Sequence, residues 1–182
     1  MAQVYAPGRH RIQSTVFDSN NTKDSLMANI HDKLSSMGIT LPPVATPAAA
    51  YLPFAQTGNL VFMSGHIAKK DGKPWVGKLG QTMGTDEGKQ AARMVAIDLL
   101  GTLNAALAAQ GKDLNSVKRI VKLMSLVNST SEFTEQHLVT NGASELLAEI
   151  FGTAGAHARS AFGVAQIPMG ACVEIEMIAE VG

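Results

Sequence analysis

The chain has 182 residues and a mass of 19.1 kDa, with 46% apolar and 16% charged residues. That is enough to bury a core, and it excludes wholesale disorder. Fifteen basic residues balance fifteen acidic ones, so the basic excess of a nucleic-acid binder is missing. The single cysteine, Cys172, excludes an intrachain disulfide and a cysteine-held zinc, and it suits a reducing compartment.

Residues 1–24 are polar and aperiodic, and they are expected to form an N-terminal extension outside a single domain spanning 25–182. They contain no apolar h-region, so they do not read as a secretory signal. Their Arg and Ser content leaves an organellar transit peptide open, although Asp18 and the lack of an amphipathic pattern argue against one. A cytoplasmic location is expected. No apolar run approaches the ~20 residues of a spanning helix, so no membrane segment is expected.

The spacing of Leu26, Ile30, Leu34 and Met37 predicts a helix over 25–38, with Gly38 just past its end. The run LPPVATP (41–47) is an extended connector. Tyr51–Gln56 and Leu60–His66 read as strands around a Thr57-Gly58-Asn59 turn, and Asp71-Gly72 marks a second turn. The glycine-rich stretch WVGKLGQTMG reads as a loop with a short strand near Trp75.

Thr85 is expected to cap the longest helix, with Asp86 and Glu87 in its first turn. Its apolar face runs through Ala92, Val95, Ala96, Leu99, Leu100, Leu103, Ala106 and Leu107 to a stop at Gly111. Residues 117–127 read as a strand in which Lys118 and Lys122 share a face with Ile120, Met124 and Leu126. A second helix runs from about Thr134 to Phe151, where Gly152 closes it. Two C-terminal strands, HARSAFGVAQI and ACVEIEMIAEV, are expected to form a hairpin around Pro168-Met169-Gly170.

This order argues an α+β fold with helices on one face of the sheet. Leu60, Phe62, Leu123, Phe162, Val164, Val173 and Ile175 supply more apolar surface than two helices cover. Self-association over the second face is therefore expected.

Most catalytic templates are missing: GxGxxG after a strand, a P-loop, HExxH, CxxC and GxSxG. The five histidines are scattered, and each is better read as a surface or hydrogen-bonded residue than as a metal ligand. Ser64-Gly65-His66 is a weak nucleophile signal with no partner acid at a known spacing. The last strand is more informative, because Glu174 and Glu176 share one face of an otherwise apolar run. Arg159 interrupts the preceding strand. The residues alone leave two readings open. Arg159 and a glutamate could form a structural ion pair. Alternatively, Arg159 could grip a ligand carboxylate while Glu174 handles a proton or a water.

The segment NGASELLAEIFGTAGAHARSAFGVAQIPMGACVEIEMIAEV (141–181) resembles the C-terminal signature of the Rid family, the reactive intermediate deaminases or YjgF-like proteins. The run YLPFAQTGNLVFMSGHI (51–67) resembles the family's first hairpin. The NGAS and HARSA wording is closest to a subgroup whose substrate is less settled. The resemblance implies a chorismate-mutase-like α+β unit with two helices on one sheet face, here with an extra N-terminal helix. It also implies a homotrimer whose clefts are built from neighbouring subunits.

The implied activity is cofactor-free and metal-free hydrolysis of enamines and imines, such as 2-aminoacrylate, to 2-keto acids and ammonia. The implied site comprises Arg159 for the substrate carboxylate, Glu174 for the water, Tyr51 at the rim, Ser64 with Gly65, and Asn141. The partners implied are a small carboxylate-bearing imine or keto acid and further copies of the chain, without nucleic acid or membrane. Many deaminases of the family carry a cysteine where this chain has Ala161, which keeps a non-catalytic trimeric carboxylate-binding protein as the alternative. The loop 68–84 is longer than in compact members. Cys172 does not match the family's cysteine position and reads as a small core residue.

Overall fold

The computed structural model describes residues 29–44 and 50–182. The expectations for residues 1–24, the first turn of the N-terminal helix and residues 45–47 of the connector lie outside the described residues. Helix α1 spans Ile30–Ser36, capped by Asn29, whose side chain accepts the His31 N–H. Leu34 on α1 is buried, and Ile30, Met37, Ile39 and Leu41 pack against the same core.

A five-stranded sheet has the order β1-β2-β7-β5-β6. Strands β1 (Phe54–Thr57) and β2 (Leu60–Ile67) form the expected hairpin, with Thr57 opposite Leu60. The stretch expected as a loop contains a small hairpin, β3 (Lys69–Lys70) and β4 (Lys73–Pro74), around Asp71-Gly72. Trp75 follows, with the Lys70 ammonium 4.9 Å from its ring centre. The rest of the stretch is pinned by backbone bonds from Leu79 N–H to Asn128 O and from Thr130 N–H to Leu79 O.

Helix α2 spans Thr85–Ala108 and buries the whole expected apolar face. Its cap is Gly84 rather than Thr85. The Gly84 N–H donates to the Glu87 carboxylate, while the Thr85 hydroxyl donates to Glu135 at the start of the other long helix. By length and composition α2 is apolar enough to cross a bilayer, an exception to the sequence expectation. Here 61% of its apolar window is buried within the fold, as in a core helix.

Strand β5 (Val117–Asn128) leads into helix α3 (Gln136–Phe151) and then β6 (Ala158–Val164). Strands β5 and β6 pair in parallel, so β5-α3-β6 is a crossover unit. Strand β7 (Val173–Val181) is inserted antiparallel between β2 and β5. The expected C-terminal hairpin is therefore absent. Pro168–Gly170 forms a 3-10 turn that carries the chain from β6 past β5 to β7.

Helices α2 and α3 cover one sheet face, and their approach depends on Gly142. A Cβ there would lie 1.9 Å from the Lys89 carbonyl oxygen of α2. The Lys89 ammonium meets Glu145 at 2.8 Å beside this crossing. Gly142→Ala gains ~1 kcal/mol of helix propensity. It also forces two backbones apart, so a net loss of ~1–3 kcal/mol is expected. A lowered urea midpoint would show this, whereas an unchanged midpoint would show that the helices separate freely.

Among the described residues the other sheet face has no helix. It carries Phe62, Leu126, Phe162 and Ile178, with Phe62 40% and Phe162 49% exposed. Leu123, Val173 and Ile175, expected there, are instead buried under the helices. Two register shifts in β5, at Val117/Arg119 and Ile120/Lys122, reset its alternation and bury Ile120 and Leu123 on the same side.

Candidate functional site

The site residues fall into two groups. The first lies under α3. Arg159 pairs in register with buried Leu123, so its side chain leaves β6 on the helix-covered face. Its Nη1 donates to Asn141 Oδ1 at 2.8 Å and to Ser144 Oγ at 3.1 Å, and its Nη2 donates to His137 O at 3.1 Å. Asn141 and Ser144 stand one helical turn apart on α3 and so present the same face. The NGAS wording thus divides its labour: Asn141 and Ser144 hold the arginine, Gly142 admits α2, and Ala143 fills the core.

His157, two residues before Arg159 on the same side, completes the group. Its Nε2 lies 3.0 Å from Ser144 Oγ and its Nδ1 2.6 Å from Gly155 O. Burial lowers its pKa against the Gly155 bond, and the Arg159 charge lowers it further. No glutamate reaches Arg159. Among the described residues the ion pairs are His31–Asp113, Lys69–Asp98 and Lys89–Glu145. The structural ion pair left open by the sequence is therefore not made within the protomer.

The second group lies on the open face. Glu174 pairs with Ile67 of β2 and Leu126 of β5 and points away from the helices. Burial, and then the charge of Glu176 on the same face, raise its carboxyl above the usual range. Gly65 makes room for it, because a Cβ there would lie 2.1 Å from Glu174 Oε1. The β2 register shift between Met63 and His66 falls at this point.

The Ser64 hydroxyl donates to Leu52 O at 2.6 Å and its N–H to Pro53 O, tying down the segment that carries Tyr51, 55% exposed. On the same face Lys122 Nζ donates to Ser160 Oγ at 2.8 Å. Ser64 does not meet His66, whose Nε2 contacts Thr102 Oγ1 of α2 at 3.1 Å. Burial lowers the His66 pKa.

The sequence reading joined Arg159 and Glu174 into one site, but in one protomer they face opposite sides of the sheet. Arg159 and Asn141 are brought together, as are Glu174 and Gly65, with Ser64 anchoring the Tyr51 segment. Sequence reasoning missed Ser144 and His157. The signal available was the recurrence of side chains three residues apart in NGAS and two apart in HAR. Ala161 pairs in register with Ser125, whose buried hydroxyl has no hydrogen-bond partner among the described residues. Cys172 is fully buried, and its thiol is pushed up to about 11 by burial. That agrees with a small core residue and not a nucleophile. Among the described residues no three His, Cys, Asp or Glu side chains gather as a metal set.

Residues 31–181 match the family described as "YjgF/chorismate mutase-like, putative endoribonuclease". The chain belongs to this family. Protein TCP17 of Trypanosoma cruzi is 44% identical over 149 residues, covering 81% of this chain and 91% of that one. A solved structure of unknown function from Agrobacterium tumefaciens is 41% identical, with a TM-score of 0.76 over 84% of this chain and 92% of that one. A "putative endoribonuclease" from Shewanella oneidensis is 29% identical, with a TM-score of 0.78 over 84% of this chain and 99% of that one. The two solved structures share this chain's fold, and the resemblance drawn from the two sequence signatures agrees with the family match.

Proposed function

We propose that the protein hydrolyses reactive enamines and imines of the 2-aminoacrylate type to 2-keto acids and ammonia, in clefts that a second copy of the chain completes. The observation that carries this reading is the placement of Arg159 and Glu174 on opposite sheet faces. An anchor and an acid–base group can then meet only across a contact between copies. The exposed Phe62 and Phe162 support self-association over the open face. A homotrimer follows from the family resemblance.

Arg159 uses three of its five N–H donors on Asn141, Ser144 and His137. Nε–H and one Nη2–H remain for a planar carboxylate. 2-Aminoacrylate takes a proton from solvent at its methylene carbon and becomes the iminium. Water adds to the iminium carbon as one of its protons passes to Glu174, which hands that proton to the nitrogen; ammonia departs as the hydroxyl gives its proton to solvent and the keto group forms. The sum is 2-aminoacrylate plus water giving pyruvate plus ammonia. A carboxyl with a raised pKa suits both the acceptance and the return of that proton.

The endoribonuclease named for the Shewanella relative fits this chain less well. The open face sets Glu174, Glu176 and Glu180 of β7 against Arg119 and Lys122 of β5, so it lacks the basic excess that binds a phosphate backbone. Ala161 favours one alternative, a trimeric protein that binds keto acids without turning over imines.

Adding the protein to a reaction that generates 2-aminoacrylate is expected to speed release of ammonia and pyruvate, unchanged by EDTA, and sedimentation should report a trimer. Pyruvate binding without faster release would favour the binding protein. A stable monomer would overturn both readings.

A further inference from the structure

Arg159 is held by groups whose hydrogen-bond directions follow from one fixed acceptor. Gly155 O only accepts, so His157 Nδ1 carries a proton and donates to it across 2.6 Å. In the uncharged ring Nε2 is then bare, and the Ser144 hydroxyl donates to it across 3.0 Å. That leaves the Ser144 oxygen lone pairs facing Arg159 Nη1, which donates to them across 3.1 Å. The chain of donors runs in one direction: Arg159 to Ser144 to His157 to the Gly155 carbonyl. Its members come from three local settings: β6 for Arg159, mid-α3 for Ser144, and the turn between α3 and β6 for His157 and Gly155. Burial favours the uncharged ring, which keeps a second cation away from the guanidinium.

We propose that Ser144 and His157 are positioning residues for Arg159, forming a one-way hydrogen-bond relay that fixes which edge of its guanidinium meets the ligand carboxylate. The role rests on the reading of Arg159 as the anchor of a 2-keto acid or its imine. Asn141 and His137 O occupy donors on both terminal nitrogens. Ser144 takes the last Nη1 hydrogen, so only Nε–H and one Nη2–H stay free. Without Ser144 the guanidinium has a third idle donor and an extra way to turn. Without His157 the Ser144 hydroxyl loses its acceptor and is free to rotate, so it competes for the ligand or for Arg159 in the wrong sense. The relay acts through Arg159 and does not touch the reacting carbon.

The test is calorimetric titration of the full chain with pyruvate, using wild type, Arg159→Ala, Ser144→Ala, Ser144→Thr, His157→Leu and His157→Gln. Ser144→Ala and His157→Leu are each expected to weaken binding about tenfold, the loss of roughly one hydrogen bond to a charged group. Ser144→Thr keeps the hydroxyl, and His157→Gln keeps an acceptor near the Nε2 position, so both should recover most of the affinity. Nitrogen NMR of the wild type should show His157 as the Nδ1–H tautomer. In Ser144→Ala the Nε2 signal should move, reporting a lost donor. A wild type that takes up no pyruvate, or an Arg159→Ala variant that binds it equally well, overturns the anchor reading and the relay with it. Binding lost in Arg159→Ala but unchanged in Ser144→Ala and His157→Leu overturns the relay alone. So does an Nε2–H tautomer, or loss of binding that neither conservative variant restores.

Discussion

Replacing Arg159 by alanine is expected to lower keto-acid affinity and imine turnover by about 10²–10³-fold, the usual loss when one member of a desolvated charge pair is removed. The fold should survive. Within the protomer Arg159 donates only to neutral oxygens, those of Asn141, Ser144 and His137, so its removal leaves no opposite charge stranded. The ~3–5 kcal/mol that follows the breaking of a buried ion pair is therefore not expected. Arg159→Lys should recover only part of the activity. An ammonium cannot satisfy three fixed acceptors and still present two coplanar donors. Thermal melts read beside calorimetry and ammonia release separate the outcomes. A variant that melts far lower than wild type, or one that melts normally and still works, would remove the anchor role.

Glu174→Gln is expected to act in the opposite sense on two readouts. Keto-acid binding should persist, because Arg159 is untouched, while turnover should fall by about 10²–10⁴-fold, the range typical of a lost acid–base group. Stability should rise near neutral pH. Burial and the Glu176 charge raise the Glu174 carboxyl, so the folded chain holds that proton more tightly than the unfolded chain does. The contribution of Glu174 to stability is therefore greatest in acid and is lost as pH rises from the ordinary carboxylate range through the raised value. Glutamine removes that slope. Urea midpoints taken from acid to neutral pH should show the variant gaining on wild type as pH rises. A variant that loses ground across this interval would mean that the ionised carboxylate is held by a favourable partner, and the acid–base role would fall with it.

The local elements were legible in the residues because helix faces and two-residue turns are written in short-range patterns. The α2 face from Ala92 to Leu107 and the alternation of Val173, Ile175 and Met177 against Glu174 and Glu176 both hold in the structure. Strand adjacency was not legible. Pro168-Met169-Gly170 says that the chain turns, but it does not say which strand comes next to which. Here β5 occupies the place between the two C-terminal strands. The same gap left the geometry of the site unread. Arg159 and Glu174 stand on strands that seemed adjacent, and only the pairing of Arg159 with Leu123 and of Glu174 with Leu126 shows which way each side chain points. The shifts within β5 hid Leu123 from a period-two reading. Ser144 and His157 were missed because their meeting depends on how α3 lies across β6, which no single segment encodes.

The opposite orientation of Arg159 and Glu174 has a genetic consequence. If each cleft draws its arginine from one chain and its glutamate from the next, the two defects reside in different halves and can be sorted apart. Chains carrying Arg159→Ala and chains carrying Glu174→Gln, each inactive alone, should complement one another when co-assembled. In a random equal mixture of a cyclic assembly, about a quarter of the clefts regain both groups. Two loss-of-function alleles of one gene would then restore part of the activity together. Two alleles that both damage the Arg159 side, for example at Asn141 and Arg159, would not.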